Sequence, residues 1–398
     1  MTYPCWKGQM TSLSEYINTK LLHPTSSGVN NIPSLDGVRG VAILMVITCH
    51  LFAHSVETGN GFSYILNIAG SSFDIRNVLM PGANGVRLFF ILSAFLLFMP
   101  YVRANIHGYR KADTTKFYKR RAMRILPAYL LVLCVFALGA WLVKGAPINR
   151  VNLFLNIFFI QPFFYFRNDV GPDFIPGTWS LVTEVHFYIL MPFIARLFCS
   201  LKKGMLVALF LMVTGHYYRA YVVSHITAPG AKFILGHNIL AHIDIFGLGM
   251  LAALIYVKCT EEEGIPPWIP YMLLISGALA YWWIFNGGLF FIRDYETLLG
   301  MSFFMLVLGV VMGLSPVRHF MEWGPLRIVG LISYSMFLIN VLLAKYFLGP
   351  LMNMLLIKEP LQRLTFNMTA GIVILFVVSM LSYRYIERPF LANKIRHR

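Results

Sequence analysis

Ten apolar stretches of roughly membrane-crossing length divide this 398-residue chain, and its basic residues fall mostly between them. The stretches lie near 38–55, 85–102, 124–143, 178–197, 203–222, 238–257, 268–286, 298–314, 328–347 and 366–384. A run of that length suits a helix crossing ~30 Å of hydrocarbon. The composition agrees: 58% hydrophobic and 13% charged residues lie outside the range of soluble globular domains. The expected fold is an all-α, polytopic transmembrane helical bundle of about ten spans.

The net charge of +16 does not indicate a nucleic-acid partner. A nucleic-acid binder gathers its bases on one wet face, whereas here they punctuate apolar segments. Their distribution is read instead as topology. An eleventh candidate, "VNLFLNIFFIQPFFYF" at 151–166, is short and carries Asn152, Asn156, Gln161 and Pro162. Leaving it out places the larger share of the 33 Lys and Arg, including the dense group from Arg103 to Arg124, on one side with both termini cytoplasmic. Residues 151–166 are then expected to dip into the interface or re-enter, which requires protein to cover their backbone.

Residues 1–34 lack the apolar run of a secretory signal and read as a cytoplasmic tail, with 35–398 as one transmembrane domain. Cys5, Cys49, Cys134, Cys199 and Cys259 are widely spaced, so neither a disulfide nor structural zinc is expected.

The first stretch, "LDGVRGVAILMVITCH" at 35–50, takes Arg39 and His50 into the apolar region. Eleven helical residues return to within about 20° of one face and rise ~16 Å, so the two share a stripe. Ionisable groups at mid-depth are costly unless they face a polar cavity. Imidazole there suits a general base, with the arginine at the cavity mouth receiving an anion. The structural alternative is an interhelical histidine and a snorkelling arginine. "HLFAH" sets His54 four residues after His50, but without the glutamate of a zinc motif, and no metal site is expected. Asp36 suits an N-cap, and Gly37 and Gly40 suit close approach of a neighbour. His237, His242 and Asp244 in "HNILAHID" fit either polar glue or acceptor contact.

Several segments together carry a resemblance. "LDGVRG" with Arg39 and His50, "GVRLFFILSAFLLF" at 85–98, "FYKRRAMRILPAY" at 117–129, "TWSLVTEVHFYILMP" at 178–192, "LISYSMFLIN" at 331–340 and "IERPF" at 386–390 occur in order and at sensible spacing. The pattern resembles the acyltransferase 3 family of integral-membrane acyltransferases. Ala94, Asn340 and Arg87 depart from residues common in that family, which bears on the acceptor more than on chemistry near His50.

The resemblance implies O-acyl transfer, most often acetyl from cytoplasmic acetyl-CoA, to a hydroxyl of a cell-envelope carbohydrate or lipid-linked glycan. It also implies a multi-pass protein of the inner membrane with no bound cofactor, whose partners are acyl-CoA, the glycan acceptor and membrane lipids, and no nucleic acid. His50 would be the base, or alternatively a transient acyl carrier. Arg39, Arg120, Arg121 and Arg124 would bind the donor, Arg121 and Arg124 sharing a helix face at i and i+3. The same cluster also suits topology and anionic lipid. Glu184 sits just inside the outer end of its span, suited to orienting the acceptor or pairing with His50. Trp179, Ser180 and Tyr188 would contact the acceptor, although tryptophan at an interface is ordinary. A transporter or flippase is the alternative function, and a sensor or scaffold a third; the absence of a clear internal repeat speaks against the transporter.

Overall fold

The computed structural model describes residues 32–58, 65–68, 71–106, 113–144, 149–164, 175, 177–198, 200–286, 295–313 and 315–392. The expected tail up to residue 31, Cys5, Cys199, Arg110 and Lys111 lie outside the described residues. The first helix, α1, is Pro33–Thr58, so it begins inside the stretch read as tail. A small hairpin follows, β1 (Ile65–Ile68) antiparallel to β2 (Ser71–Asp74) with Ile65 opposite Asp74. It is the departure from an all-helical chain among the described residues, and its four-residue strands are too short for alternation to announce.

After a helical turn and the 3-10 segment Met80–Asn84 come α2 (Gly85–Ile106) and the long α3 (Thr114–Lys144). Next are α4 (Arg150–Ile157), α5 (Trp179–Ile194), α6 (Leu201–His225), α7 (Pro229–Gly236), α8 (Ile243–Tyr256), α9 (Trp268–Asn286) and α10 (Glu296–Met312). The last third comprises α11 (Pro316–Met321), α12 (Gly324–Leu331), α13 (Ser333–Leu343), α14 (Gly349–Met354), α15 (Pro360–Phe366), α16 (Ile372–Ser382) and α17 (Arg388–Ala392), with π-helical turns between several of them.

Among the described residues, nine helices are long and apolar enough to cross a membrane, and each coincides with an expected stretch. The tenth, α10, has 17 residues, or ~26 Å at 1.5 Å per residue. The stretch expected at 328–347 is not one helix. It breaks at Ile332, leaving α12 packed along α1 and a span running from Ser333 to Met354.

Residues 151–164 do not form a helix long enough to cross. Asn149 caps α4 by accepting from the Asn152 amide at 3.0 Å, and the chain turns at Phe159, whose φ is 58°, into the 3-10 turn Gln161–Phe164. Its buried backbone oxygens find side-chain donors. Tyr129 Oη donates to the Asn156 carbonyl at 3.0 Å, and His186 Nε2 donates to the Phe159 carbonyl at 2.8 Å. This is the protein cover that irregular backbone at membrane depth requires.

The close approach expected at Gly37 and Gly40 is real. A Cβ on Gly37 would overlap the Met321 carbonyl, and one on Gly40 the Leu326 carbonyl. Gly330 on α12 meets the Asp36 carbonyl in the same way. Asp36 lies within the first turn of α1 rather than at its cap, with Arg327 Nη2 3.8 Å from its carboxylate. Because the obstacle at Gly330 is backbone, relief requires the two helices to separate. Gly330→Ala is expected to cost ~1–3 kcal/mol, read as a lowered Tm of the detergent-solubilised protein.

Candidate active site

Five elements meet around one partly open cavity. Arg39 comes from α1, Val86, Phe89 and Phe90 from α2, Arg124 and Ile125 from α3, Ser180, Leu181, Glu184 and Tyr188 from α5, and Ser333, Tyr334 and Phe337 from α13. Of the residues singled out by sequence, Arg39, Arg124, Ser180, Glu184 and Tyr188 are therefore brought together. Arg121 stands beside them, its guanidinium carbon 5.8 Å from the Tyr188 ring centroid. Arg120 is exposed and does not join the cavity.

Glu184 lies deeper than its place in the sequence suggests. α3 and α5 run antiparallel, with Tyr118 Oη donating to the Ile189 carbonyl at 3.0 Å and Arg121 over Tyr188, which sets Glu184 at the level of Arg124. From Arg124, α3 continues to Lys144, ~30 Å further on. The acid, expected near the outer end of its span, thus stands level with Arg124, toward the basic end of α3, and the start of α5 lies beside the 151–164 segment. Its carboxylate accepts from Ser93 Oγ and, at 2.5 Å, from Tyr188 Oη.

Glu184 does not hold His50. That role belongs to Asn340 on α13, whose Oδ1 lies 2.6 Å from His50 Nδ1. The Asn340 amide nitrogen donates to the carbonyls of Met336 (3.2 Å) and Phe337 (2.5 Å), which fixes its oxygen toward the imidazole. His50 therefore carries its proton on Nδ1 and presents an unprotonated Nε2. The ring is half-buried and is not among the cavity-lining residues. His54 packs its Nε2 against Gly349.

Trp179 and Ser180 part company. Ser180 lines the basic cavity, whereas the Trp179 indole packs among Arg87 (5.8 Å), His237 (4.4 Å), His242 (5.7 Å) and Phe90 (6.3 Å) and borders a separate narrow cleft with Gln161. Asp244 is glue. It is fully buried and accepts from Arg219 at 3.1 and 2.9 Å and from Thr297 Oγ1 at 2.8 Å, tying α6, α8 and α10. Arg87 is likewise paired, donating to both Glu296 oxygens at 3.0 and 2.6 Å.

The contrast with the cavity is chemical. Arg87 and Arg219 each have a bidentate carboxylate, but neither Arg39 nor Arg124 has one within 4 Å among the described residues. Half-buried guanidinium groups with no carboxylate in contact suit an anionic ligand.

Sequence reasoning missed Ser93, Tyr334, Phe337 and the role of Asn340. Tyr334 Oη donates to the Ile125 carbonyl at 2.8 Å, docking α13 beside Arg124. Tyr334 and Asn340 did leave a signal, as polar groups within an apolar span.

The model of the acyltransferase 3 family, described as an acyltransferase domain, matches residues 32–384. The chain is 24% identical over 387 residues to the O-acetyltransferase OatA of Staphylococcus aureus (strain NCTC 8325 / PS 47), covering 90% of this chain and 57% of that protein. It is 24% identical over 397 residues to the putative peptidoglycan O-acetyltransferase YrhL of Bacillus subtilis (strain 168), covering 92% and 56%. A putative O-acetyltransferase of Staphylococcus aureus (strain COL) is 25% identical over 395 residues, covering 92% and 58%. The chain thus spans a little over half the length of these curated relatives. No solved structure matches it. With the family model extending from the start of α1 into the last helices, the chain belongs to the acyltransferase 3 family.

Proposed function

We propose that the protein is a membrane O-acyltransferase that moves an acetyl group from cytoplasmic acetyl-CoA to a hydroxyl of a cell-envelope carbohydrate or lipid-linked glycan. The observation carrying this reading is the pair of guanidinium groups, Arg39 and Arg124, that line one cavity with no carboxylate within 4 Å among the described residues, whereas buried Arg87 and Arg219 each have one. A coenzyme thioester brings the phosphates such a pair suits. It is larger than the cavity, so its nucleotide end rests outside, against exposed Lys116, Lys119 and Arg120 on the first turns of α3. The pantetheine arm occupies the cavity and points the thioester along α1 toward His50.

The chemistry follows from the tautomer. His50 Nε2 takes the proton of the acceptor hydroxyl while Asn340 holds Nδ1–H. The oxygen attacks the thioester carbonyl, a C–O bond forms and the C–S bond breaks. Coenzyme A leaves as thiolate and receives the proton from His50. Glu184, held by Ser93 and Tyr188, lines the same cavity without pairing directly to either arginine, and its place is to orient the arm of the donor. The bilayer is crossed by the acyl group alone, since donor and acceptor approach His50 from opposite faces.

Purified protein given labelled acetyl-CoA and a glycan extract is expected to yield labelled ester; no label in any hydroxyl acceptor would overturn the reading. Arg39→Ala and Arg124→Ala are each expected to raise KM for acetyl-CoA ~10- to 100-fold with a smaller change in kcat, as loss of charge-assisted hydrogen bonds implies. Steady-state kinetics at varied donor concentration checks this.

A further inference from the structure

The cavity does not run freely to His50. Phe337 on α13 lines it, and Asn340, one turn further on the same helix face, holds the imidazole, ~4.5 Å further along the axis. Phe89 of α2 lines the cavity too, one turn on from Gly85, which packs against Ala42 and Val46 of α1, between Arg39 and His50. Both rings are only partly buried, and both pack against the two largest hydrophobic clusters of the protein. Both rings thus bridge the two clusters, with Phe337 on the cavity side of Asn340. A thioester anchored on Arg39 and Arg124 must carry its carbonyl past them.

We infer that Phe89 and Phe337 form a constriction that selects the acyl group by its width at the carbon next to the carbonyl, admitting acetyl and rejecting α-branched acyl groups. This rests on the acyl transfer proposed above. The pantetheine arm is a slender chain, and an acetyl thioester adds only a methyl beyond its carbonyl. An isobutyryl thioester adds two further methyl groups at the atom that must lie beside Phe337 when the carbonyl reaches His50. The bonds made and broken are the same for both donors: C–O forms, C–S breaks, and the hydroxyl proton ends on the coenzyme thiol.

The test compares acetyl-CoA with isobutyryl-CoA in full-length protein, using a hydroxyl acceptor shown to take acetyl. Wild type is expected to favour acetyl by ~10²-fold in kcat/KM, about tenfold for each added methyl. Phe337→Ala is expected to reduce that ratio by ~10-fold or more, with isobutyryl transfer rising in absolute terms. Phe337→Leu and Phe89→Ala, checked for monodispersity in detergent, are expected to reduce it in the same direction and carry the test where the alanine variant does not fold. Parallel loss of both donors, at an unchanged ratio in the folded variants, would overturn the constriction and leave the rings as packing. Equal use of the two donors by wild type would also overturn it. Failure of wild type to transfer acetyl from coenzyme A to any hydroxyl would instead sink the acyltransferase reading itself.

Discussion

His50→Ala is expected to lower kcat for acyl transfer ~10²- to 10⁴-fold, the range attached to a general base. KM for acetyl-CoA should hardly change, because the imidazole lies outside the cavity that holds the donor. Asn340→Ala is expected to fall between. It leaves the base in place but removes the bond that holds its proton on Nδ1, and one charge-assisted hydrogen bond corresponds to a loss of ~10-fold or more. The order of severity is the informative part. Were Asn340→Ala as damaging as His50→Ala, the amide would be touching the reacting atoms. Were both variants fully active, no base would reside here, and the unprotonated Nε2 would be incidental. Coenzyme A binding by each variant separates loss of chemistry from loss of fold.

The second large effect concerns stability. Asp244→Ala strips the bidentate carboxylate from Arg219, which is itself buried, and leaves a cation among the ends of α6, α8 and α10. Removing one partner of a buried pair costs ~3–5 kcal/mol, because the survivor keeps its desolvation penalty without its counter-charge. Thr297 Oγ1, which donates to Asp244 and accepts from Arg219, loses its acceptor in the same step. The double variant Asp244→Ala/Arg219→Leu is expected to recover much of the loss, since no charge then remains buried. Thermal unfolding in detergent measures both. A double variant as unstable as the single would mean that the hydrogen bonds to Thr297 and the Ala241 carbonyl, rather than the charge, hold these helices.

These two sites show how far a sequence of this kind can be read. The spans were legible because a bilayer leaves few alternatives for long apolar runs, and even the failed eleventh run announced itself through Asn152, Asn156 and Gln161. Arg39 and His50 could be set on one stripe because helical periodicity is local. The partner of His50 could not, since Asn340 lies 290 residues away and only the packing of α13 on α1 brings it there. The neighbours of Glu184 were not legible for a related reason, since its place beside Arg124 depends on how α5 packs against α3 and on the 151–164 segment held by Tyr129 and His186. Trp179 read as an acceptor contact or an interface residue because the packing of an aromatic ring depends on neighbours remote in sequence, here Arg87, Phe90, His237 and His242. Arg87, a departure from the family pattern, is explained by Glu296, a partner likewise remote in sequence.

The central claim is that an acyl thioester arriving from one side of the membrane and an alcohol arriving from the other meet at His50. Sealed membrane vesicles of opposite orientation test it most directly. Inverted vesicles given labelled acetyl-CoA from outside are expected to place label on glycan in their lumen, while right-side-out vesicles given the same donor are expected to show none. Label acquired by right-side-out vesicles, with intact inverted ones inert, would contradict the account.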